Sequence, residues 1–315
     1  AVNPYNFQNH LYAKNRPENL AFLRRVRALM DEYPAAPSVG EVGEAQRGME
    51  IQAEYTAGND LLHMCYGFDF LSGEFPTPER VAEVMQRFEA VAPESWACWA
   101  FSNHDVVRHA SRWGLGDEGL RVYAALLLSL KGSVCLYQGE ELGLTEAYVS
   151  FEDLQDPYGK RFWPKFRGRD GCRTPMPWVA DNQYGGFSDT APWLPMAVEH
   201  LTHAAANQVR DESSMLNFYG EMIAFRRGYA ALAKGGFELV AADEKALSFI
   251  RRLGDEAVFC AFNLSAEAAE ITLPEGTWQA DLGTPFGGPE GLGDGIGGTR
   301  LTLAPWQAFF AQERG

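Results

Sequence analysis

Apolar positions recur along the first half of the chain in two alternating periods. Leu20, Leu23, Val26 and Leu29 fall at helical spacing behind Pro17, which predicts a helix from Pro17 to Tyr33-Pro34. Pro37 to Val42 is a short apolar run that ends in acid, as a buried strand entering a loop would. Asp60 to Tyr66 predicts the next strand, and Thr77 to Val91 a helix opened by a threonine cap before Pro78. Trp96 to Phe101 then reads as strand, Asp117 to Leu130 as helix and Ser133 to Tyr137 as strand. Such alternation predicts parallel βα units around a buried sheet.

The pattern changes twice. Residues 139–210 are rich in Gly, Pro, Trp and Asp with weak periodicity, and a loop region of that length inside a compact fold is usually functional, here a roof over a pocket. Met215 to Ala233 returns to helix, with Phe218, Met222, Ile223 and Phe225 on one side. Beyond Gly235-Gly236 come short alternating runs separated by turn residues, at Ala246 to Arg251, Ala257 to Asn263, Glu270 to Leu273 and Arg300 to Leu303. They predict a small antiparallel β domain over 235–315, following a βα domain over 1–234. Four βα units cannot close an eight-stranded barrel, and an open half leaves unpaired edges and an uncovered core, so something is expected to complete it.

Composition narrows the chemistry. The 315 residues are 46% hydrophobic and 22% charged, enough apolar content for a sizeable core and two domains. A formal net charge of -15 at pH 7 opposes nucleic acid and anionic membrane surfaces and favours a neutral ligand such as a sugar. The five cysteines, Cys65, Cys98, Cys135, Cys172 and Cys260, are widely spaced and set mostly in apolar runs, which fits reduced core thiols and a cytoplasmic protein better than a disulfide framework or a metal site. No eighteen-residue apolar stretch and no basic leader occur, so neither a signal peptide nor a membrane span is expected.

Two acids stand where predicted strands meet loops: Glu41 in Ser38-Val39-Gly40-Glu41-Val42-Gly43-Glu44, and Asp105 in Phe101-Ser102-Asn103-His104-Asp105. Barrel enzymes keep catalytic groups at the carboxyl ends of their strands, and two such ends on one rim strengthen each other. Val39-Gly40-Glu41 and Phe101 to Asp105 resemble two signature strands of glycoside hydrolase family 13, the α-amylase family. Three further stretches are similar to its α-glucosidase and oligo-1,6-glucosidase branch: Asn3-Pro4-Tyr5 through Asp31-Glu32-Tyr33-Pro34, Cys135 through Gly143, and Gly168-Arg169-Asp170-Gly171-Cys172-Arg173-Thr174-Pro175-Met176-Pro177-Trp178. The match runs in order along the whole chain. It implies an α/β fold, the second half of a (β/α)8 barrel followed by a small antiparallel β-sandwich.

The resemblance also implies roles. Glu41 would be the general acid/base, preferred over Glu44 because it fills the Val-Gly-Glu position at the strand end, and Asp105 the third carboxylate, binding sugar hydroxyls and helping to distort the ring. His104 would hydrogen-bond the glucose hydroxyls, and Arg108 would reach the aglycone side. Arg173 resembles the arginine that pairs with an acid from the amino-terminal half to close the pocket, with Arg169 its competitor, and Phe68 would stack on the acceptor sugar. Trp163, Trp178 and Tyr184 are aromatic loop residues that packing alone explains.

Retaining glycosidases need two carboxyl groups about 5 Å apart, one a nucleophile and one a proton donor whose pKa is raised by burial and nearby charge. In the family the nucleophile is an aspartate in a Gly-Phe-Arg-x-Asp type motif on the fourth strand, and no such motif occurs here. Ala1-Val2-Asn3-Pro4 looks like the segment that follows it. The expected partner is therefore the amino-terminal half of the same enzyme, carrying the nucleophile, its arginine and the acid for Arg173. No cofactor or metal is expected on these residues, and a calcium ion, found in many relatives, would belong to that earlier half. The implied activity is release of glucose from the non-reducing end of short α-glucosides, with transfer to other hydroxyls. An α-1,4 preference follows because Gly171 to Trp178 and the loop Ser102 to Trp113 depart from the oligo-1,6 pattern. Sucrose isomerase and α-1,6-glucosidase share these motifs, and a non-catalytic sugar-binding subunit is the reading from another class. Such subunits commonly lose the acid or the histidine that this chain keeps.

Overall fold

The computed structural model describes residues 12–44, 47–71, 74–280, 284–286 and 295–314. Ala1-Val2-Asn3-Pro4-Tyr5, on which part of the resemblance rests, lies outside them. The elements run α1 (Pro17–Met30), β1 (Val39–Glu41), α2 (Gly48–Thr56), β2 (Met64–Tyr66), α3 (Pro78–Val91), β3 (Ala97–Trp99), α4 (His109–Trp113), α5 (Asp117–Ser129) and β4 (Ser133–Val134). They continue with α6 (Pro157–Phe162), α7 (Ala205–Gln208), α8 (Met215–Gly228), α9 (Ala230–Lys234), β5 (Gly236–Ala242), β6 (Ala246–Leu253), β7 (Glu256–Asn263), β8 (Ala269–Thr272), β9 (Thr277–Ala280), β10 (Gly295–Ile296), β11 (Arg300–Leu303) and β12 (Ala308–Arg314). Contacts divide the chain into two units, one of Ala1–Leu71, Glu94–Arg112 and Cys135–Arg210, the other of Ser72–Pro93, Trp113–Val134 and Asp211–Gly315.

In the first unit, β1, β2 and β3 are adjacent and parallel, with Glu41 opposite Tyr66 and Tyr66 opposite Cys98. The backbone N–H of Cys135 donates to Trp99 O at 2.9 Å. Alternation sorts the side chains into two clusters. Cys65 faces Val42, Ile51, Tyr55 and Leu62, with Leu20 and Leu23 of α1 packed against them. Tyr66 faces the other way, with Leu71, Cys98 and Ala100, and with Met64, Phe68 and Val106 partly buried beside them. β3 is buried throughout, whereas β1, at the sheet's edge, leaves Val39 56% exposed. Glycine at position 40 is a packing requirement, because a Cβ there would meet Leu62 Cδ1 at 2.5 Å.

Two expectations change here. Helix α1 ends at Met30 rather than at Tyr33, and its Phe22 and Leu29 are exposed. Helix α2 was not predicted: its Gly-Met-Glu-Ile-Gln-Ala-Glu-Tyr-Thr sequence mixes buried Gln52 and Thr56 with buried Met49, Ile51 and Tyr55, so no apolar stripe shows.

The long loop region keeps two short α-helices, α6 and α7, and is pinned by polar bonds as well as by buried Leu142, Leu144, Leu154 and Leu194. Gln208 Nε2 donates to Leu142 O at 2.9 Å and to His203 O at 3.1 Å, and the N–H groups of Ala205 and Ala206 go to Pro177 O and Trp178 O.

The second unit holds α3, α5, α8, α9 and the antiparallel domain. Thr77 caps α3 by accepting from Arg80 N–H at 3.2 Å. The predicted helix over Met215 to Ala233 is two helices, α8 and α9, because Tyr229 between them adopts an extended conformation. A six-stranded sheet of order β10-β9-β12-β7-β6-β5 and a β11-β8 pair enclose Phe259, Trp278, Leu303 and Phe309. β5, β9, β10 and β12 escaped the reading of alternation, β12 because Ala308 to Ala311 is buried on both faces. No helix among the described residues is long and apolar enough to cross a membrane.

Candidate active site

The site grows from the carboxyl ends of β1, β2 and β3. Glu41 ends β1, is exposed, and lies across the sheet from Tyr66 on the same face. Burial pushes the Tyr66 hydroxyl above its usual range, the Asn103 side chain beside it acts the other way, and the charge of Glu41 adds to the rise. Asn103 also shapes the next turn, its Oδ1 accepting from the backbone N–H of Asp105 at 2.8 Å. Strand-end acid, tyrosine, asparagine and second acid therefore follow one another along a single rim.

Asp105 is the hub. Its Oδ1 accepts from Arg173 Nη2 at 2.7 Å and Arg169 Nη1 at 3.0 Å, with His104 Nε2 at 3.8 Å. Among the described residues no side chain bonds its Oδ2. Arg173 Nε also donates to the His104 carbonyl at 2.6 Å, which ties the acid's own loop to the guanidinium that holds it. His104, Asp105, Arg169 and Arg173 are thus brought together, and Arg169 and Arg173 share one acid. Within this chain Arg173 is engaged by Asp105 and His104.

The loop after β3 is braced from below. Arg112 donates to Phe70 O at 3.1 Å and Phe101 O at 2.6 Å, linking the segments that leave β2 and β3. His109 lies buried with its N–H on Ser102 Oγ, and burial, reinforced by Arg112 and Arg108, lowers its pKa to about 3, so the imidazole is neutral. Phe68 packs edge-on against Tyr66 and stands 3.7 Å from where a Cβ on Gly43 would be, which puts it at the foot of the β1 loop. Glu44 points elsewhere, to Asn15 Nδ2 at 3.3 Å and Lys14 Nζ at 3.9 Å.

Arg108 corrects an expectation. It does not reach outward to an aglycone: it is 2% exposed, bonds Gln138 O at 2.8 Å and Cys172 O at 3.1 Å, and lies over the Tyr137 ring. A guanidinium with its fork on backbone carbonyls is a brace between loops. Cys135 likewise is exposed, while the other four thiols are buried, and all five are free. Sequence reasoning missed Tyr66, Asn103 and Asp156. Asp156 was readable only as the residue before Pro157, where its Oδ1 caps α6 by accepting from Tyr158 N–H at 3.1 Å. No group of three or more His, Cys, Asp or Glu among the described residues has metal-holding geometry.

The catalytic-domain family of α-amylase matches residues 3–235, and the maltogenic amylase C-terminal domain matches residues 237–309. A probable alpha-glucosidase of Rhizobium meliloti (strain 1021) is 54% identical over 316 residues, covering 99% of this chain and 56% of the relative. The solved structure of an alpha-glucosyl transfer enzyme, XgtA, superposes with a TM-score of 0.89 at 44% identity, covering 99% of this chain and 57% of that one. The trehalulose synthase MutB from Pseudomonas mesoacidophila MX-45 follows with a TM-score of 0.80 at 21% identity, covering 95% of this chain and 59% of that one, and shows the shared fold. The chain thus spans a little over half the length of these relatives. With a family match over most of its length and the Glu41 and Asp105 strand ends on one rim, the chain belongs to the α-amylase family, glycoside hydrolase family 13.

Proposed function

We propose that this chain is the carboxyl-terminal part of a retaining α-glucosidase that releases glucose from the non-reducing end of short α-glucosides, α-1,4 linkages favoured. The observation that carries the reading is the Asp105 carboxylate, clamped through Oδ1 by Arg169 and Arg173 on the rim that begins at Glu41. A carboxylate held by one oxygen offers the other to sugar hydroxyls, and the reading gives Glu41, at a strand end, the protonation of the leaving oxygen. The nucleophile comes from a preceding segment that packs along β1, in keeping with that strand's exposed Val39 and edge position. The enzyme acts without a cofactor, and its five free thiols agree with a cytoplasmic setting.

The test is Glu41→Gln in the complete enzyme. Turnover of maltose should fall by about 10²–10⁴-fold, the usual share of general acid catalysis. Cleavage of 4-nitrophenyl α-glucoside, whose leaving group needs no proton, should suffer far less in its first step. Equal retention of both activities would remove Glu41 from the role. A second reading, glucosyl transfer to other hydroxyls, draws support from the 44% identity to the transfer enzyme. It is read from the ratio of transfer product to free glucose at high acceptor concentration.

A further inference from the structure

The loop that presents Arg169 contains an acid that no motif marked out. Asp156 is buried, its side chain removed from solvent, and the charged group beside it is Arg169. Asp156 Oδ2 accepts from Arg169 Nε and from the Arg169 backbone N–H, both at 2.9 Å, and Oδ1 accepts from Arg169 Nη2 at 3.1 Å. The guanidinium is therefore gripped along one edge by a bidentate pair, and its remaining amino group, Nη1, is the one that reaches Asp105 at 3.0 Å. A planar fork fixed on one side has little freedom left on the other.

Asp156 is itself immobilised. Its backbone N–H and that of Gln155 both donate to Asp170 Oδ2, at 2.8 and 2.6 Å, and Asp170 is 1% exposed. Gly168, at φ +84, folds the loop so closely over Asp156 that a Cβ there would stand 3.1 Å from its Oδ2. Burial alone would raise the Asp156 carboxyl, but the bonds from Arg169 and Tyr158 outweigh it and hold the group below the ordinary carboxylate range.

We propose that Asp156 is a positioning residue for Asp105, acting through Arg169 and touching no substrate itself. The assignment rests on the reading of Asp105 as a sugar-binding carboxylate given above. With Asp156 neutral, Arg169 is released from its grip and Asp105 loses one of the two groups that set its angle. A carboxylate whose contacts strengthen as the ring distorts then loses more in the transition state than in the ground state, so kcat falls with KM little changed.

The experiment uses the enzyme that carries this chain together with its preceding segment, as wild type, Asp156→Asn, Arg169→Lys and the double variant, assayed on maltose and followed by thermal melting. Asn keeps the cap to Tyr158 and the shape but removes the charge; Lys keeps the charge but loses the fork. Each single variant is expected to lose between about ten- and a hundredfold in kcat, the scale of a misplaced catalytic group, with KM within about threefold. The double variant should lose no more than the worse single, because the two act as one unit. Near-wild-type kcat in a folded Asp156→Asn, or losses that multiply in the double variant, would overturn the assignment while leaving the glucosidase reading intact. Should Asp156→Asn fail to fold, Arg169→Lys decides by the same split of kcat against KM. A wild-type enzyme inert towards every α-glucoside would remove both readings together.

Discussion

The two units solve opposite problems. In the antiparallel domain β6 and β7 pair without a break from Ala246 opposite Asn263 to Leu253 opposite Glu256, and β7 is buried almost end to end around Phe259 and Phe262. In the other unit β1, β2 and β3 are three residues each, and what organises the space above them is polar: Arg112 on Phe70 and Phe101, Arg108 on Gln138 and Cys172, Asp170 on Gln155 and Asp156. Apolar area holds the first kind of structure and is indifferent to direction; hydrogen bonds hold the second and fix direction. Strength and aim are therefore kept in different places.

That contrast can be broken at several points, in order of effect. Trp278→Ala removes a side chain buried against Phe259, with its indole N–H on Pro274 O at 3.0 Å. It should cost about 3–5 kcal/mol of stability, read by denaturant titration, yet leave kcat per folded molecule unchanged. Glu41→Gln is the mirror image, and its melting temperature should match the wild type; a large drop would mean that the rim contributes strength after all. An intermediate effect comes from pH. The folded His109 pKa, about 3, lies below the unfolded value, so its contribution to stability is present above about pH 6.5 and is lost as pH falls towards 3. The slope should be of the order of 1 kcal/mol per pH unit in that window, and His109→Gln should flatten it. The smallest effect is expected of Thr77→Ala, which deletes the cap of α3 for about 1 kcal/mol and should leave catalysis untouched.

Much of this was readable in advance, and the failures share a cause. Arg300–Leu303 and Pro78–Val91 came out where alternation and the Thr-Pro cap put them, because local pattern decides such elements. Glu41 and Asp105 were legible as acids after apolar strands. Helix α2 was not, since its inward face carries Gln52 and Thr56, and tertiary packing rather than amphipathicity selects it. Arg108 was misjudged because a motif position says nothing about which way a long side chain turns, and here Gln138 O and Cys172 O draw it inward. Asp156 stayed hidden because its partner Arg169 lies thirteen positions away, across a loop with no periodicity to reveal the meeting.

Both guanidiniums seize the same oxygen of Asp105. The two ends of a free carboxylate interchange by a simple half-turn, but that half-turn here would break two charged bonds at once. The symmetry of the group is thereby abolished: one oxygen becomes part of the scaffold and its twin is left fixed in direction. Under the proposed reading, an incoming sugar would meet an acceptor whose torsion was settled during folding, and it would not need to supply the ordering itself.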